Sequence, residues 1–217
     1  MLPPGRSQLY TVNETTGAAT SVAALSMPVI NASLGYGIDF NPVADFAGAT
    51  SLRLVSSAGN NFAVNATTGV VGNAASNIGM GFTAAAYSNS MPLPTAAPPS
   101  TALYYIDSNS DTLSKASSAF NAPTIMAVGA LGVDALKANG FEILGDGRAF
   151  AALTVDGARL TTGIYSINLG TGAATLLGNY NGTLSGLTVS AVPEPETYAL
   201  MLAGLLVVAS LARRRSR

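Results

Sequence analysis

The chain has 217 residues, room for one sizeable core, and contains neither cysteine nor histidine. That composition excludes disulfides, thiolate nucleophiles, zinc sites built from the usual ligands, and imidazole as a catalytic base. Charged residues make up only 10%, and up to Ser190 six scattered Lys and Arg stand against nine Asp and Glu, which excludes the clustered cations that nucleic-acid binding requires.

Low charge, with abundant Gly, Ala, Ser, Thr and Asn, suits short strands joined by tight turns better than charge-striped helices, so an all-β class is expected. The chain opens MLPPGRSQLY, with no apolar stretch after Arg6 of the kind an export leader carries. Should the remainder of the chain call for export, a true start further upstream is expected.

Internal repeats give the main structural clue. Four segments align: Leu9 to Gly17 (LYTVNETTG), Asn61 to Gly69 (NFAVNATTG), Leu103 to Asp111 (LYYIDSNSD) and Ile164 to Gly172 (IYSINLGTG). Each reads as a strand entering a hairpin, with alternation placing Tyr10 and Val12, Phe62 and Val64, Tyr104 and Ile106, and Tyr165 and Ile167 on one buried face. The Asn or Asp that follows suits the turn backbone, and Gly17, Gly69 and Gly172 suit a positive φ at its exit. A second element recurs as Gly37-Ile-Asp-Phe40, Gly132-Val-Asp-Ala135 and Gly186-Leu-Thr-Val189, and reads as an inner strand that opens each unit.

The clearest unit runs from Phe141 to Gly178 as a four-stranded meander (FEIL, RAFAALTV, IYSIN, AATLLG), and Tyr36 to Val71 repeats it with GIDF, LRLVS, NFAVN and a last strand near Val70. Such meanders repeated every 40 to 60 residues predict a β-propeller of four-stranded blades. A β-sandwich is the alternative. The first hairpin lacks a preceding inner strand and Gly186 to Val189 lacks a following hairpin, so the ring is expected to be incomplete, unless the two ends share one blade.

Without His or Cys, chemistry would fall to carboxylates, Ser, Lys or Tyr. Asp39 and Asp134 occupy equivalent places on the expected inner strands, where a central channel would gather them, and paired carboxylates can hydrolyse a glycoside if held roughly 5 to 9 Å apart. Carboxylates that merely fix strand ends by bonding neighbouring backbone are the favoured explanation, and Thr188 breaks the pattern, so no catalytic residue is assigned. Asp107, Asn109 and Asp111 have the D-x-N-x-D spacing of calcium loops, but Thr112 stands where such loops need Gly and Ser118 where they need an acid. The segment reads as one more turn, with no metal site and no cofactor expected. Ser88 to Ser100, with Pro92, Pro94, Pro98 and Pro99, is an exposed excursion: a contact surface or an insertion.

The body motifs LYTVN-TTG-AAT, GIDFNPVAD (Gly37 to Asp45), LRLVS (Leu52 to Ser56) and LGVD (Leu131 to Asp134) resemble the bacterial family called domain of unknown function 4394 over roughly Gln8 to Val189. The resemblance implies an exported propeller without an established activity, and relative to that family the first blade and the opening of the second are expected to be missing.

From Tyr198 to Ala212 the chain reads YALMLAGLLVVASLA, uncharged and followed by Arg213, Arg214 and Arg215. As a helix it would be about 22 Å long at 1.5 Å per residue, short of a hydrocarbon core of about 30 Å unless the arginines snorkel. With no polar face and a cationic end it predicts a transmembrane helix whose arginines stay cytoplasmic and whose body faces outward. Before it, Val192, Pro193, Glu194, Pro195 and Glu196 favour an extended segment that a processing enzyme can grip. This order of motif, apolar helix and arginine cluster resembles the PEP-CTERM sorting signal recognised by exosortase. It implies export, anchoring before processing, then a cell-surface or extracellular location. The expected organisation is a propeller-like domain over 8–190 and a sorting signal over 191–217. A non-catalytic binding or structural protein is the leading expectation, with an exopolysaccharide or a surface protein as possible partner. A secreted carbohydrate-active hydrolase and a truncated gene fragment are the alternatives.

Overall fold

A computed structural model describes residues 7–91, 96–155 and 161–189. The sorting residues Val192, Pro193, Glu194 and Pro195, the apolar run with Arg213, Arg214 and Arg215, and the upstream start lie outside the described residues; among those described, no helix is long and apolar enough to cross a membrane.

Strands dominate. β1 (Gln8–Val12) and β2 (Ala19–Ala24) form a two-stranded sheet. Three four-stranded meanders follow: β3 (Tyr36–Phe40), β4 (Ser51–Ser56), β5 (Asn61–Asn65) and β6 (Val71–Gly72); then β7 (Phe82–Tyr87), β8 (Leu103–Asp107), β9 (Thr112–Ala116) and β10 (Ile125–Ala130); then β11 (Ala135–Ile143), β12 (Ala149–Val155), β13 (Thr162–Ile167) and β14 (Ala174–Tyr180). Every neighbouring pair is antiparallel. One short helix, α1 (Pro42–Phe46), interrupts the first meander; the Asn41 side chain caps it by accepting from Val43 N at 3.1 Å and Ala44 N at 3.2 Å, and Pro42 fills the first turn, where a missing N–H costs nothing. The two meanders expected from the sequence are therefore present, and β11 begins six residues before Phe141.

The hairpin turns repeat one piece of chemistry. Asn13, Asn65 and Asn168 each accept, through Oδ1, the amides two and three residues ahead, and Asp107 does the same. Gly17, Gly69 and Gly172 then take positive φ, as does Asp111 at 51°. This shared chemistry conceals a difference of rank: β5 and β13 are third strands of their sheets, whereas β8 is a second strand. The Leu103 hairpin is thus not structurally equivalent to the Asn61 and Ile164 hairpins. Turn chemistry depends on five local residues and carries no information about which strand of a sheet it follows.

Successive sheets stack face to face. The middle sheet is buried on both sides because β7 and β8 alternate: Ala85, Tyr87, Leu103 and Tyr105 join the cluster shared with Val55 of the first meander, while Ala84, Ala86, Tyr104 and Ile106 join Phe141, Ile143, Leu153, Tyr165 and Ile167 of the third. A third cluster packs Leu9, Leu25 and Val29, around the two-stranded sheet, on Leu52, Leu54, Phe62 and Val64. Tyr10 and Val12, expected to be buried like their counterparts, are 51% and 64% exposed, since no described sheet covers that face. Among the described residues the sheets do not close into a ring.

Candidate functional site

The first strands of the meanders lie side by side. Gly37 of β3 touches the backbone of Ala84 and Ala85 so closely that a Cβ there would collide with it, and two residues on, Tyr87 N donates to Asp39 Oδ2. The matching two-residue steps mean that β3 and β7 run in the same direction. Gly140 of β11 meets the Leu187 backbone in the same manner, and Thr188 Oγ1 donates to Glu142 Oε2 at 3.2 Å. Glycine is needed at both approaches because only a residue without Cβ lets two backbones come so near.

Between these strands runs a channel with two chemically distinct ends. A cavity of about 450 Å³ is lined by Val12, Tyr36, Ile38, Phe141, Leu187 and neighbouring glycines. One step along the same strands, a cavity of about 210 Å³ is lined by Asp39, Phe40, Ser90, Met91, Glu142, Leu144, Thr188 and Val189. A third, of about 270 Å³, shares Phe40, Ser90 and Met91 with it and adds Pro42, Asp45, Phe46, Asn89 and Pro98. The apolar cavity and the acidic one share Thr188, and the acidic end carries an exposed apolar rim: Phe40, Phe46 and Met91 are 43%, 44% and 58% exposed.

Burial and the neighbouring charge of Glu142 push the Asp39 carboxyl up to about 8, against the amides of Tyr87 and Phe40, which favour its charged form. Burial also raises Glu142, opposed by the Thr188 hydroxyl and the Ile143 amide. Asp45 moves the same way through burial, although its Oδ1 accepts from Ser51 N at 2.8 Å. The site thus sets a carboxyl biased toward its protonated form, Asp39, beside hydrogen-bond acceptors.

Behind Asp39, Arg53 is 4% exposed and bonded to neutral groups: Nε donates to Tyr87 Oη at 3.2 Å, Nη1 to Asn61 Oδ1 at 3.1 Å and Nη2 to Asn121 Oδ1 at 2.9 Å. Arg53 is the cross-strand partner of Asp39, yet no salt bridge joins them. It locks the first two meanders together.

The structure places Asp39 on a cavity wall, but the acid it brings there beside it is not Asp134. Asp134 is exposed in the turn that starts at Gly132, before β11 begins, and does not reach the channel. The carboxylate that shares a cavity with Asp39 is Glu142, in Gly140-Phe-Glu-Ile143, which matches Gly37-Ile-Asp-Phe40 in spacing. The closer letter match of Gly132-Val-Asp134 masked it. The calcium-like spacing is used internally: Asp107 closes its own turn, and Asp111 Oδ1 accepts from Ala135 N at 2.8 Å. Asn89, Ser90, Met91 and Pro98, from the proline-rich excursion, stand on the rim.

Stacked antiparallel meanders around a channel with an acidic floor define an all-β protein of repeated sheets whose candidate site lies at the ends of the first strands. The family model described as "Domain of unknown function (DUF4394)" matches residues 4–188, and the chain belongs to that family. A second model, the PEP-CTERM protein-sorting motif, matches residues 191–216 and marks the protein for export and for sorting by exosortase at the cell envelope. No curated protein and no solved structure matched the chain.

Proposed function

We propose that this is a non-catalytic surface protein, anchored by its tail before exosortase processing, whose meanders are blades of a propeller-type ring and whose acidic channel mouth binds a neutral polysaccharide. The carrying observation is the juxtaposition of exposed Phe40, Phe46 and Met91 with Asp39, Asp45, Asn89, Ser90 and Glu142 on adjoining cavities. Sugar rings present apolar C–H faces that pack on aromatic rings, and hydroxyls that bond to carboxyl, amide and hydroxyl groups. The acids disfavour polyanions by like-charge repulsion. The propeller reading draws support from the meander order and from the backbone approaches at Gly37 and Gly140.

The test is calorimetric titration of the body with neutral and uronic-acid oligosaccharides. Neutral oligomers should bind, and Phe46→Ala should weaken them about tenfold, a loss of about 1.4 kcal/mol, with the melting temperature unchanged. Undiminished binding in both Phe46→Ala and Phe40→Ala, or preference for the uronic polymer, would sink the proposal.

A hydrolase is favoured by one observation, the two raised carboxyls, Asp39 and Glu142, on one cavity. In that case new reducing ends would be released from a neutral polymer, and Glu142→Gln would abolish the release.

A further inference from the structure

The connection between β3 and β4 carries Phe46 to the rim, and one carboxylate closes it. Asn41 N donates to Ser51 O at 2.9 Å, Asp45 N to Asn41 O at 2.9 Å and Ser51 N to Asp45 Oδ1 at 2.8 Å, so Asp45 ties the start of the loop to its end. Thr50 takes a φ of 42°, a left-handed conformation that a β-branched side chain resists. It is held from both sides: Asp45 fixes the Ser51 amide next to it, and its own carbonyl accepts from Ala66 N at 2.9 Å. Removing the Asp45 acceptor would leave the Ser51 amide without its partner and free Phe46, the next residue along the chain. Asp45 also lines the 270 Å³ cavity, where it is the one charged residue beside the apolar Phe40, Phe46 and Met91 and the polar Asn89 and Ser90. Oδ1 is engaged by Ser51, and among the described residues no donor reaches Oδ2.

We propose that Asp45 determines specificity at the neutral-saccharide site, an inference that rests on the saccharide reading: Oδ1 positions Phe46, and Oδ2 accepts an equatorial hydroxyl of the sugar ring stacked on it. A ring lying flat on an aromatic face turns its equatorial hydroxyls outward in its own plane, toward a carboxylate standing beside the platform, and an ionised acceptor makes the stronger bond. An axial hydroxyl points into the aromatic face and lifts the ring away. The favoured ligand is therefore a glycan whose ring hydroxyls are all equatorial. Burial raises the Asp45 carboxyl against the opposing Ser51 amide, so this acceptor is lost at milder acidity than a free carboxylate would be. The other titrating groups around it are the Asp39 carboxyl of β3 and, on the adjoining cavity, Glu142 of β11; no described cation pairs with Asp45. The share of a pH profile that belongs to Asp45 is thus the share its amide variant removes.

The test is calorimetric titration of the body with cellotetraose, whose ring hydroxyls are all equatorial, and with the corresponding mannose tetramer, in which each ring carries an axial hydroxyl. The unsubstituted protein should prefer cellotetraose several-fold, and its affinity should fall as the solution is acidified from neutrality. Asp45→Asn keeps an acceptor for Ser51 and removes the charge; it should bind about tenfold more weakly, lose the acid limb of the profile and leave hydrogen exchange at the Ser51 amide slow. Asp45→Ala should bind more weakly still and speed exchange at Ser51. Unchanged affinity and pH profile in Asp45→Asn overturn the hydroxyl contact, and equal affinity for the two tetramers overturns the equatorial selection. Unchanged Ser51 exchange in Asp45→Ala overturns the positioning role. If the unsubstituted protein binds no saccharide, the saccharide reading fails and the hydroxyl contact with it, whereas Ser51 exchange still decides the positioning role, so the two failures are separate results.

Discussion

Burial and the charge of Glu142 outweigh two backbone donors at Asp39, and the consequence is a pH dependence with a definite sign. A carboxyl whose pKa rises from 3.8 in the unfolded chain to about 8 in the folded one holds its proton better when folded. Stability is then fully present below about pH 4 and declines as pH rises through about 8, with Glu142 and Asp45 acting in the same direction. Asp146, exposed and ion-paired to Arg148 at 2.7 Å, is shifted down, chiefly by the Arg148 amide and side chain, and opposes this slightly at acid pH. We predict that denaturant midpoints fall between pH 5 and pH 8.5 and that Asp39→Asn flattens much of the fall; a midpoint that rises over this range would contradict it. Arg53 supplies the second prediction at this scale. Three bonds to a buried cation, each worth roughly 1.5–3 kcal/mol, tie β4 to Tyr87, Asn61 and Asn121. Arg53→Met should therefore destabilise by about 2–4 kcal/mol in urea denaturation, because the partners keep their desolvation cost and lose their donor. Sequence alone showed Arg53 only as a scattered charge and offered Asp134, not Glu142, as the partner of Asp39. Their environments arise from segments more than thirty residues apart, which no local pattern encodes.

At the scale of elements, legibility followed locality. Strand alternation and five-residue turns are local, and the meanders starting at Tyr36 and Phe141 were readable from them. The rank of β8, the depth of Glu142 and the exposure of Tyr10 depend on which sheet packs on which, and were not. Gly37 shows how much rests on one such contact. A methyl group there would meet the Ala84–Ala85 backbone, which cannot yield as a side-chain tip could, whereas nothing lies within 4 Å of a Cβ at Gly178 in β14. Gly37→Ala should cost about 1–3 kcal/mol, and Gly178→Ala should be neutral or slightly stabilising, both read from chemical denaturation. Equal effects at the two positions would show that the close approach of β3 and β7 is not what Gly37 serves.

At the scale of the whole molecule, Val189, the last described residue, lines the acidic cavity, and the sorting motif begins at residue 191, two positions further along the sequence. On the proposed function, a tail held at the membrane would keep that mouth close to the lipid surface, where a large polymer would meet steric exclusion. Cleavage at the sorting segment would then free the mouth, and processing would couple arrival at the surface to ligand access. Replacing Pro193, Glu194 and Pro195 together by alanine should leave the protein uncleaved, sedimenting with membranes and heavier by the mass of the retained tail in a host that contains exosortase. In vesicles that uncleaved form should bind a small neutral oligosaccharide as well as the released body does, yet bind the corresponding long polymer several-fold more weakly. Equal binding of the long polymer by both forms would show that the mouth is open before processing, and that the tail governs only where the protein goes.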